Sequence, residues 1–347
     1  MEETLEDIKS KYDIKDYVQP NINIPDFTDK NGIILIVGTS GSGKSTILKH
    51  MGYSDDADIF DYNKTIIENF STPERAETLL LSTGLRSIPT WFKAPNKVSN
   101  GEKHRAECAV KIDKGMNFID EFTSVVDRNT AKSLSFTLRK YFDKLNIPQL
   151  FVATCHRDII DWLQPDYIYD TDLQEFIQKE NLRRPDIKLD IISSTIKDWI
   201  YFKKHHYLDT TMSKSVHCYT AYMDGMKVAF LSVIHGCGRD IKSYWRESRL
   251  VVLPEFQGIG IGKTLSDAIA NEYKSRGLRY FSKTAHPSLG EYRNVNSKWR
   301  GTSTNMKKRK SYLDKNGDAR LSKIYGKREE LIIRDSNRLT YSHEYIG

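Results

Sequence analysis

The chain has 347 residues, which leaves room for two domains of ordinary size, and its 39% of hydrophobic and 29% of charged residues are typical of a soluble globular protein. It contains no apolar run of about eighteen residues, and its acidic start, Met1–Thr4, lacks the apolar segment of a secretory signal. The four cysteines are scattered without a CxxC pair, which argues against a disulfide framework and favours a reducing cytoplasm.

The formal net charge of +7 is unevenly distributed. Residues 1–184 hold 24 basic against 29 acidic side chains, which is −5, and residues 185–347 hold 29 against 17, which is +12. A basic half of this kind predicts a polyanionic partner, most often nucleic acid. The alternative is a solvated basic surface without a partner.

The first half alternates strand-like and helix-like stretches. Ile33–Val37 is a continuous apolar run typical of a strand buried on both faces, and a helical stretch begins at Lys44. Phe118–Ile119 and Leu150–Thr154 are further strands that end at polar residues. This alternation predicts an α/β domain with a parallel sheet over residues 1–180.

The segment Gly38–Ser45 fits the P-loop pattern G-x-x-x-x-G-K-[ST], with a strand before it and a helix after it. Its glycines let backbone amides curl around phosphates, and the helix N-terminus faces the same anion. Lys44 is expected to reach the β- and γ-phosphates of ATP, and the Ser45 hydroxyl is expected to bind Mg²⁺. The predicted nucleotide-binding residues are Gly38, Ser40, Gly41, Gly43, Lys44, Ser45 and Thr46.

Four further motifs follow the P-loop in the order found in ABC ATPases, which residues 20–175 resemble. They are Val98–Glu102, like the signature L-S-G-G-Q/E; Asp120–Glu121, like Walker B; Ser124–Asp127, like the D-loop; and Thr154–His156, like the switch histidine. The resemblance implies that Asp120 joins Ser45 at Mg²⁺, Glu121 polarises the attacking water, and His156 is a catalytic switch. It also implies a homodimer through the ABC heads, in which Ser99 and Gly101 of one copy complete the ATP site of the other.

The first half departs from the ABC pattern in three ways. Asn100 replaces a signature glycine, Asn117 interrupts the Walker B strand, and residues 46–98 contain no glutamine to serve as the Q-loop residue. The shortened segment, in a chain without an apolar span, argues against a transporter subunit. It favours the ABC proteins that act on nucleic acids or as switches, with no membrane partner.

The second half is predicted to begin after a charged, proline-containing linker at residues 181–190 and to run over residues 191–347. Ile191–Leu208 has apolar residues at helical spacing, and Asp224-Gly225 predicts a two-residue hairpin turn. The remaining predicted elements are strands at Val216–Met223, Met226–His235, Arg249–Leu253 and Tyr280–Thr284, a helix at Leu265–Tyr273 and a closing strand at Tyr341–Gly347.

A second glycine-rich turn, Gln257–Lys263, joins a strand to a helix and can bind a pyrophosphate by the same physics as the P-loop. It resembles motif A of the GNAT acyltransferases, Q/R-x-x-G-x-G/A, and the order of elements over residues 190–300 is similar to that family. The resemblance implies an α+β acyltransferase domain that uses acetyl-CoA or a related acyl-CoA. The predicted coenzyme-binding residues are Gln257, Gly258, Gly260, Gly262 and Lys263; the alternative is a turn whose glycines serve only packing.

The run Ala285–Arg293 falls where GNAT enzymes place substrate chemistry. Tyr292 is a candidate acid for the CoA thiolate, and His286 or Glu291 a candidate general base. The competing interpretation is that His286-Pro287 opens a loop and that Tyr292 packs in the core.

Residues from Trp299 to Lys310 mix aromatic and cationic side chains, including the basic cluster Lys307–Lys310, and form a basic C-terminal extension. Base stacking and phosphate contact would use this composition, as would a disordered surface loop. Fusions of an ABC head with a GNAT-like domain occur in phages and prokaryotes. The run His286-Pro287…Gly290…Tyr292-Arg293 and the terminal strand make the second half similar to the phage Mom DNA-modification enzymes. If a phage encodes the chain, the expected location is the host cytoplasm.

The leading hypothesis is therefore an ABC ATPase coupled to an acyl-CoA-dependent N-acyltransferase that modifies DNA at a base amine. An RNA or protein N-acetyltransferase is the second hypothesis. The third is an ABC switch whose second half is a non-catalytic nucleic-acid-binding module.

Overall fold

The computed structural model describes residues 4–11, 22–54, 59–177, 182–206, 212–237, 243–313 and 332–347. The chain divides into two compact units. The first comprises Met1–Thr83 and Ala94–Arg184, and the second comprises Gly84–Lys93 and Pro185–Gly347. The second unit thus includes a short stretch from within the first half of the sequence, in addition to residues that follow the predicted linker.

Residues 4–177 form the following elements in chain order, with several short 3₁₀ turns between them: α1 (Leu5–Lys11), β1 (Gly32–Val37), α2 (Lys44–His50), α3 (Pro73–Ser82), α4 (Ile88–Trp91), α5 (Asn100–Asp113), β2 (Phe118–Ile119), α6 (Arg128–Tyr141), β3 (Gln149–Thr154), α7 (Ile160–Leu163), β4 (Tyr167–Asp170) and β5 (Glu175–Ile177).

The first sheet has the strand order β2-β3-β1-β4-β5. The first four strands are parallel, and β5 is antiparallel to β4. The apolar residues Ile33–Val37 lie at the centre of this sheet and are completely buried, as the uninterrupted run predicts. Since the parallel strands all end at one edge, that edge collects the segments that follow Val37, Ile119, Thr154 and Asp170.

The second unit contains, after α4, these elements: β6 (Asp190–Ser194), α8 (Ile196–Phe202), β7 (Val216–Met223), β8 (Met226–Gly236), β9 (Tyr244–Val252), α9 (Ile261–Ser275), β10 (Tyr280–Thr284), α10 (Pro287–Val295), β11 (Trp299–Gly301), β12 (Lys307–Leu313) and β13 (Ile332–Tyr345). Its sheet has the order β11-β13-β10-β9-β8-β7-β6, and β12 pairs with β13 outside that path. The predicted hairpin turn is confirmed: Asp224 and Gly225 both have positive φ, 50° and 77°, as a type I′ turn requires.

The central strands β9 and β10 run parallel but pair only at Tyr280 with Trp245 and at Phe281 with Arg246. Among the described residues, no further pair joins the two strands, which therefore separate toward their carboxyl ends. A register shift between Ser232 and Val233 of β8 marks a bulge where β9 begins to separate. The glycine turn that follows β9 therefore lies at an open end of the sheet.

The helix predicted over Ile191–Leu208 is wrong at its start. Asp190–Ser194 is a strand paired with β7, and α8 begins only at Ile196, where the Thr195 side chain caps it by accepting from the Lys197 amide. The apolar spacing misleads because Ile192 and Ile200 are exposed, whereas Trp199 and Phe202 supply the buried face of α8. Leu208 lies outside the described residues.

Among the described helices, none has the length and apolarity needed to cross a membrane.

Candidate functional site

The P-loop joins the end of β1 to α2. Gly41 and Gly43 adopt positive φ, 82° and 97°, which a side chain disfavours, and Gly43 is the N-cap of α2. The Lys44 side chain is 5% exposed, and its Nζ donates to the carbonyl oxygens of Gly38 at 2.9 Å and Thr39 at 2.6 Å. The ammonium group is thus held on the loop itself, while Ser45 and Thr46 lie in the first turn of α2, whose amides have no intrahelical partner. This arrangement fits a nucleotide phosphate chain.

The end of β4 braces this loop, which the sequence did not reveal. Ser42 Oγ lies 2.5 Å from Thr171 Oγ1, and Thr39 donates to the Asp172 carboxylate from its amide at 2.9 Å and its hydroxyl at 2.7 Å. A Cβ on Gly38 would overlap the Thr171 side chain. Gly38 is therefore required by its contact with Thr171, the residue that follows β4, in addition to any need created by a phosphate.

The acidic pair follows β2 at the same edge of the sheet. The Glu121 amide donates to Asp120 Oδ1 at 2.9 Å, and Glu121 itself has a φ of 50°, which makes a tight turn. Ser124 Oγ donates to the Glu121 carboxylate. The side chain predicted to polarise water is thus linked to the loop that resembles the D-loop.

His156 is connected to this turn by hydroxyl groups. Thr123 Oγ1 lies 2.7 Å from Thr154 Oγ1 and 2.9 Å from His156 Nδ1, and the His156 amide donates to Thr154 Oγ1 at 3.1 Å. Burial, followed by the charge of Arg128, lowers the pKa of His156 below its ordinary value. Through these hydrogen bonds, a neutral imidazole at this position is coupled to the turn that carries Glu121.

The signature-like segment has a structural role of its own. Ser99 is the N-cap of α5 and forms a capping box with Glu102: the Glu102 amide donates to Ser99 Oγ at 3.3 Å, and the Ser99 amide donates to the Glu102 carboxylate at 3.0 Å. A Cβ on Gly101 would lie 3.4 Å from the Val126 side chain. Ser99 and Gly101 therefore stand at a helix N-terminus close to the Ser124–Asp127 loop, an arrangement that suits an anion.

In the second glycine-rich turn, glycine is required for two different structural reasons. Gly258 and Gly260 have φ of 94° and 106°, and Gly260 is the N-cap of α9. A Cβ on Gly262 would press on Val252 at 3.2 Å, so this glycine allows α9 to approach β9. The Gln257 side chain donates from Nε2 to the Val252 carbonyl at 2.8 Å and fixes the turn to the strand. Close packing of α9 on β9 thus explains Gly262. Gly258 and Gly260, with their left-handed backbone conformations, shape the turn that leads to the first-turn amides of α9, which have no partner within the helix.

Tyr292 lies beside this turn. Lys263 Nζ, in the first turn of α9, is 5.4 Å from the centre of the Tyr292 ring. The Tyr292 hydroxyl donates to Asp267 and accepts from Asn296 Nδ2 at 2.6 Å. Burial, together with the hydrogen bond to Asp267, raises the pKa of Tyr292 to about 12, so the phenol keeps its proton at neutral pH.

The two candidate bases differ in their surroundings. His286 precedes α10 directly, and its amide donates to Thr284 Oγ1 at 3.0 Å. Burial, followed by the charge of Arg86, lowers the pKa of its imidazole, which favours the neutral form that a general base needs. Glu291 is exposed on α10. The alternative in which His286-Pro287 opens a loop is wrong, because Pro287 is the first residue of a helix.

A buried ion pair, which no local sequence pattern predicts, connects the elements around Tyr292. Arg293 is completely buried and lies 3.2 Å from the Glu247 carboxylate. Glu247 also accepts from Ser266 Oγ at 2.7 Å and from Ser282 Oγ at 2.9 Å. These four residues belong to β9, α9, β10 and α10, so the network fixes the helix that carries Tyr292 at the point where the strands separate.

Trp299 is not available for base stacking, contrary to the expectation for the basic extension. It is 4% exposed, its Nε1 donates to Asp267 Oδ1 at 2.8 Å, and its ring covers the Arg293 guanidinium at 4.5 Å. Trp299 instead orients Asp267, the partner of Tyr292. Trp299, the aromatic residue of this segment, therefore belongs to the interior of the second unit.

Comparison with known proteins identifies the domain in the second unit. Residues 214–296 match the family model described as an acetyltransferase (GNAT) domain, so the glycine turn and Tyr292 lie within a GNAT acetyltransferase domain. No curated protein matches the chain.

Solved structures resemble each half. One is a dimeric post-hydrolysis state of the ATP-binding cassette MJ0796 bound to ADP and Pi, 21% identical, covering 47% of this chain and 88% of that one with a TM-score of 0.33. Others are an acetyltransferase from Bacillus subtilis in complex with CoA (12% identical, 47% and 99% covered, TM-score 0.31) and an IAA acetyltransferase from Bacillus cereus (15% identical, 46% and 99% covered, TM-score 0.30).

Proposed function

We propose that the second unit transfers an acyl group from acetyl-CoA or a related thioester to an amine of a nucleic acid, and that the first unit binds and hydrolyses ATP as an ABC-type head. The observation that carries the proposal is the position of Tyr292 against Lys263, at the glycine turn where β9 and β10 have separated. In a GNAT acetyltransferase domain, this is a site where a pyrophosphate and a thioester can lie side by side.

The pyrophosphate of coenzyme A is expected to bind the first-turn amides of α9, after the left-handed residues Gly258 and Gly260. The attacking amine forms a C–N bond to the thioester carbonyl carbon while the C–S bond breaks and its electron pair leaves on sulfur. The amine proton passes to a base, for which the neutral imidazole of His286 is the better candidate than the exposed Glu291. A bridging water would carry the proton from the amine to the base where the two groups are not in direct hydrogen-bond contact.

Tyr292 would act on the leaving sulfur. An ordinary thiol has a pKa of about 8.5, so complete proton transfer from a phenol with a pKa of about 12 is uphill. We therefore assign to Tyr292 a hydrogen bond that stabilises the departing thiolate. To make it, the hydroxyl must turn its proton from Asp267 toward the sulfur.

In the first unit, Lys44 and the amides of α2 would hold the phosphates of ATP, and Ser45 with Asp120 would hold Mg²⁺, which neutralises charge that develops on the phosphates. Glu121 would orient the attacking water. Ser99 and Gly101 at the α5 N-terminus would reach the γ-phosphate of a second copy, so hydrolysis would require a homodimer.

A nucleic-acid acceptor is supported by the charge of +12 on residues 185–347. The deciding experiment incubates the full chain with acetyl-CoA labelled in the acetyl group and with duplex DNA, tRNA or a mixture of proteins. Label in DNA that requires Tyr292 supports the proposal; a Tyr292→Phe variant should lose about 10²-fold or more of the rate. Label only in tRNA or protein would contradict the DNA acceptor, and no transfer to any acceptor would contradict the acyltransferase.

A further inference from the structure

A two-stranded ribbon projects from the sheet of the second unit. The carboxyl-terminal part of β13, Tyr341–Tyr345, pairs with β10 and β11 and is part of the sheet. Residues 332–340 of the same strand have a different partner: in the part of the chain that the structure describes, their pairing is to β12 alone. With a rise of about 3.4 Å per residue, this ribbon is about 30 Å long.

The ribbon is strongly basic. Its paired segments, Lys307–Leu313 and Ile332–Thr340, contain six cationic residues and a single acidic one, Asp335; the cations are Lys307, Lys308, Arg309, Lys310, Arg334 and Arg338. Lys307 and Lys308 at its base are exposed. The basic cluster Lys307–Lys310, for which the sequence also allowed a disordered loop, thus lies in one strand of a β-ribbon whose net positive charge suits a polyanion.

The ribbon leaves the sheet at the edge that carries the candidate acyl-transfer site. It begins beside Tyr341, which pairs with Thr284, the last residue of β10. Because β9 and β10 are parallel, this is also the end at which β9 leads into the glycine turn. The base of the ribbon therefore lies at the same end of the sheet as that turn.

The base of the ribbon is fixed to α10, the helix that carries Tyr292. Asn294 Oδ1 lies 2.8 Å from His343 Nε2 and accepts from Asn305 Nδ2 at 2.9 Å, and the Ser342 amide donates to Asn305 Oδ1 at 2.9 Å. Gly290 allows the contact, since a Cβ there would overlap the Tyr341 ring. The base of the ribbon is thus held by the same helix that carries Tyr292, the proposed hydrogen-bond donor to the departing thiolate.

We propose that the β12–β13 ribbon enters the major groove of duplex DNA and presents the duplex to the acyl-transfer site; this inference rests on the proposed nucleic-acid acceptor. The strands of a ribbon are about 4.8 Å apart, and the major groove of B-DNA, about 12 Å wide, admits such a pair with its side chains. The irregular register between Lys308 and Lys310 adds twist of the kind that bulges produce, which helps a ribbon follow a helical groove.

The proposal distinguishes duplex DNA from duplex RNA. The major groove of A-form RNA is deep and too narrow for side chains to read, so the ribbon cannot enter it. A basic surface that attracts nucleic acid only by charge would bind both duplexes and would be insensitive to what fills the groove.

The test measures binding of the full-length protein to fluorescent duplexes by anisotropy over a range of salt concentrations. The variant Lys307→Gln/Lys308→Gln/Lys310→Gln removes charge from the ribbon, and the matched control Lys197→Gln/Lys203→Gln/Lys204→Gln removes the same charge from an exposed helical segment around α8. If all three ribbon lysines contact phosphates, the slope of log K against log salt should flatten by up to about 2.7 for the ribbon variant, with little change for the control. Equal changes in the two variants would overturn the proposal.

A second experiment uses the wild-type protein and varies the nucleic acid. Duplexes carrying bulky substituents at C5 of their pyrimidines, which fill the major groove, should bind the wild-type chain at least about tenfold more weakly than unmodified DNA. A ligand that fills the minor groove should have little effect, and duplex RNA should bind as weakly as the substituted DNA. Indifference to the substituents, or equal binding of DNA and RNA, would contradict a major-groove ribbon.

Parallel measurements separate this inference from the proposed function. Transfer of labelled acetyl groups to DNA that is unaffected by the ribbon substitutions would refute the ribbon and leave the acyltransferase standing. Wild-type protein that neither binds nor acylates nucleic acid would refute both. Binding of acetyl-CoA by the ribbon variant at wild-type affinity confirms that the second unit has remained folded.

Discussion

Replacing Glu247 with glutamine should destabilise the second unit more than any exposed charge substitution. Glutamine keeps the size of the side chain and can still bond to Ser266 and Ser282, but it leaves the Arg293 guanidinium without a counter-charge. The side chains of Arg293 and Glu247 are 0% and 6% exposed, so water cannot replace the lost partner. Breaking a buried pair of this kind costs about 3–5 kcal/mol.

The assay is thermal unfolding of the full chain, in which the transition of the second unit is the one that acetyl-CoA shifts upward. For a unit of this size, a loss of about 3–5 kcal/mol lowers the midpoint by roughly 10 °C. The matched control is Glu272→Gln, which breaks the exposed pair with Arg276 and should cost about 0.5 kcal/mol or less. The double variant Glu247→Leu/Arg293→Met should be less destabilised than the two single substitutions predict together.

A Glu247→Gln midpoint no lower than that of Glu272→Gln would refute this reasoning. It would mean that the Arg293 charge is compensated by its hydroxyl partners and by the Trp299 ring alone. The position of α10, and with it that of Tyr292, would then not depend on the ion pair.

Three further predictions concern single residues. Glu121→Gln should bind ATP but hydrolyse it at least about 10²-fold more slowly and accumulate as a dimer in size-exclusion chromatography with ATP; hydrolysis at the wild-type rate would contradict its assignment. Ser99→Arg should leave ATP binding intact and stop hydrolysis, whereas Ser99→Asn, which can still cap α5, serves to separate loss of the cap from loss of the γ-phosphate contact; normal turnover by Ser99→Arg would exclude the two-copy site. Burial, followed by the charge of Arg293, lowers the pKa of His343 from 6.5 to about 4, so its contribution to stability is present above pH 6.5 and is lost as the pH falls toward 4; His343→Gln should reduce this pH dependence in unfolding measurements, and an unchanged profile would contradict it.

The parts of the fold that the sequence predicted are those fixed by local chemistry. Short stretches of residues determine the local structure of the strand Ile33–Val37, of the turn Asp224-Gly225 and of the glycines at positions 43 and 260. The ends of β1, β2 and β3 are therefore predicted correctly, and the candidate nucleotide-binding residues follow the first of these strands. Their roles in ATP and coenzyme chemistry stay predictions.

The remaining features depend on contacts between residues far apart in sequence. Thr171 braces the P-loop from 129 positions beyond Ser42, and Arg293 meets Glu247 across 46 positions, so no local pattern reveals either contact. Trp299 misled because an aromatic residue among cations has the same sequence pattern whether it is exposed or buried. The sequence does not predict β6, because Ile192 lies at helical spacing from Ile196 and Ile200 although its side chain is exposed.

The central claim is that the chain has two separate phosphate-binding turns, one for ATP and one for a coenzyme A thioester. Titration calorimetry of the full chain with each ligand, using Lys44→Ala and Gly260→Glu, tests it most directly. Lys44→Ala should lose ATP binding and keep acetyl-CoA binding. Gly260→Glu, which places a carboxylate at the α9 N-terminus in a left-handed position, should lose acetyl-CoA binding and keep ATP binding. Unchanged acetyl-CoA affinity in Gly260→Glu, or loss of both ligands in either variant, would contradict the account.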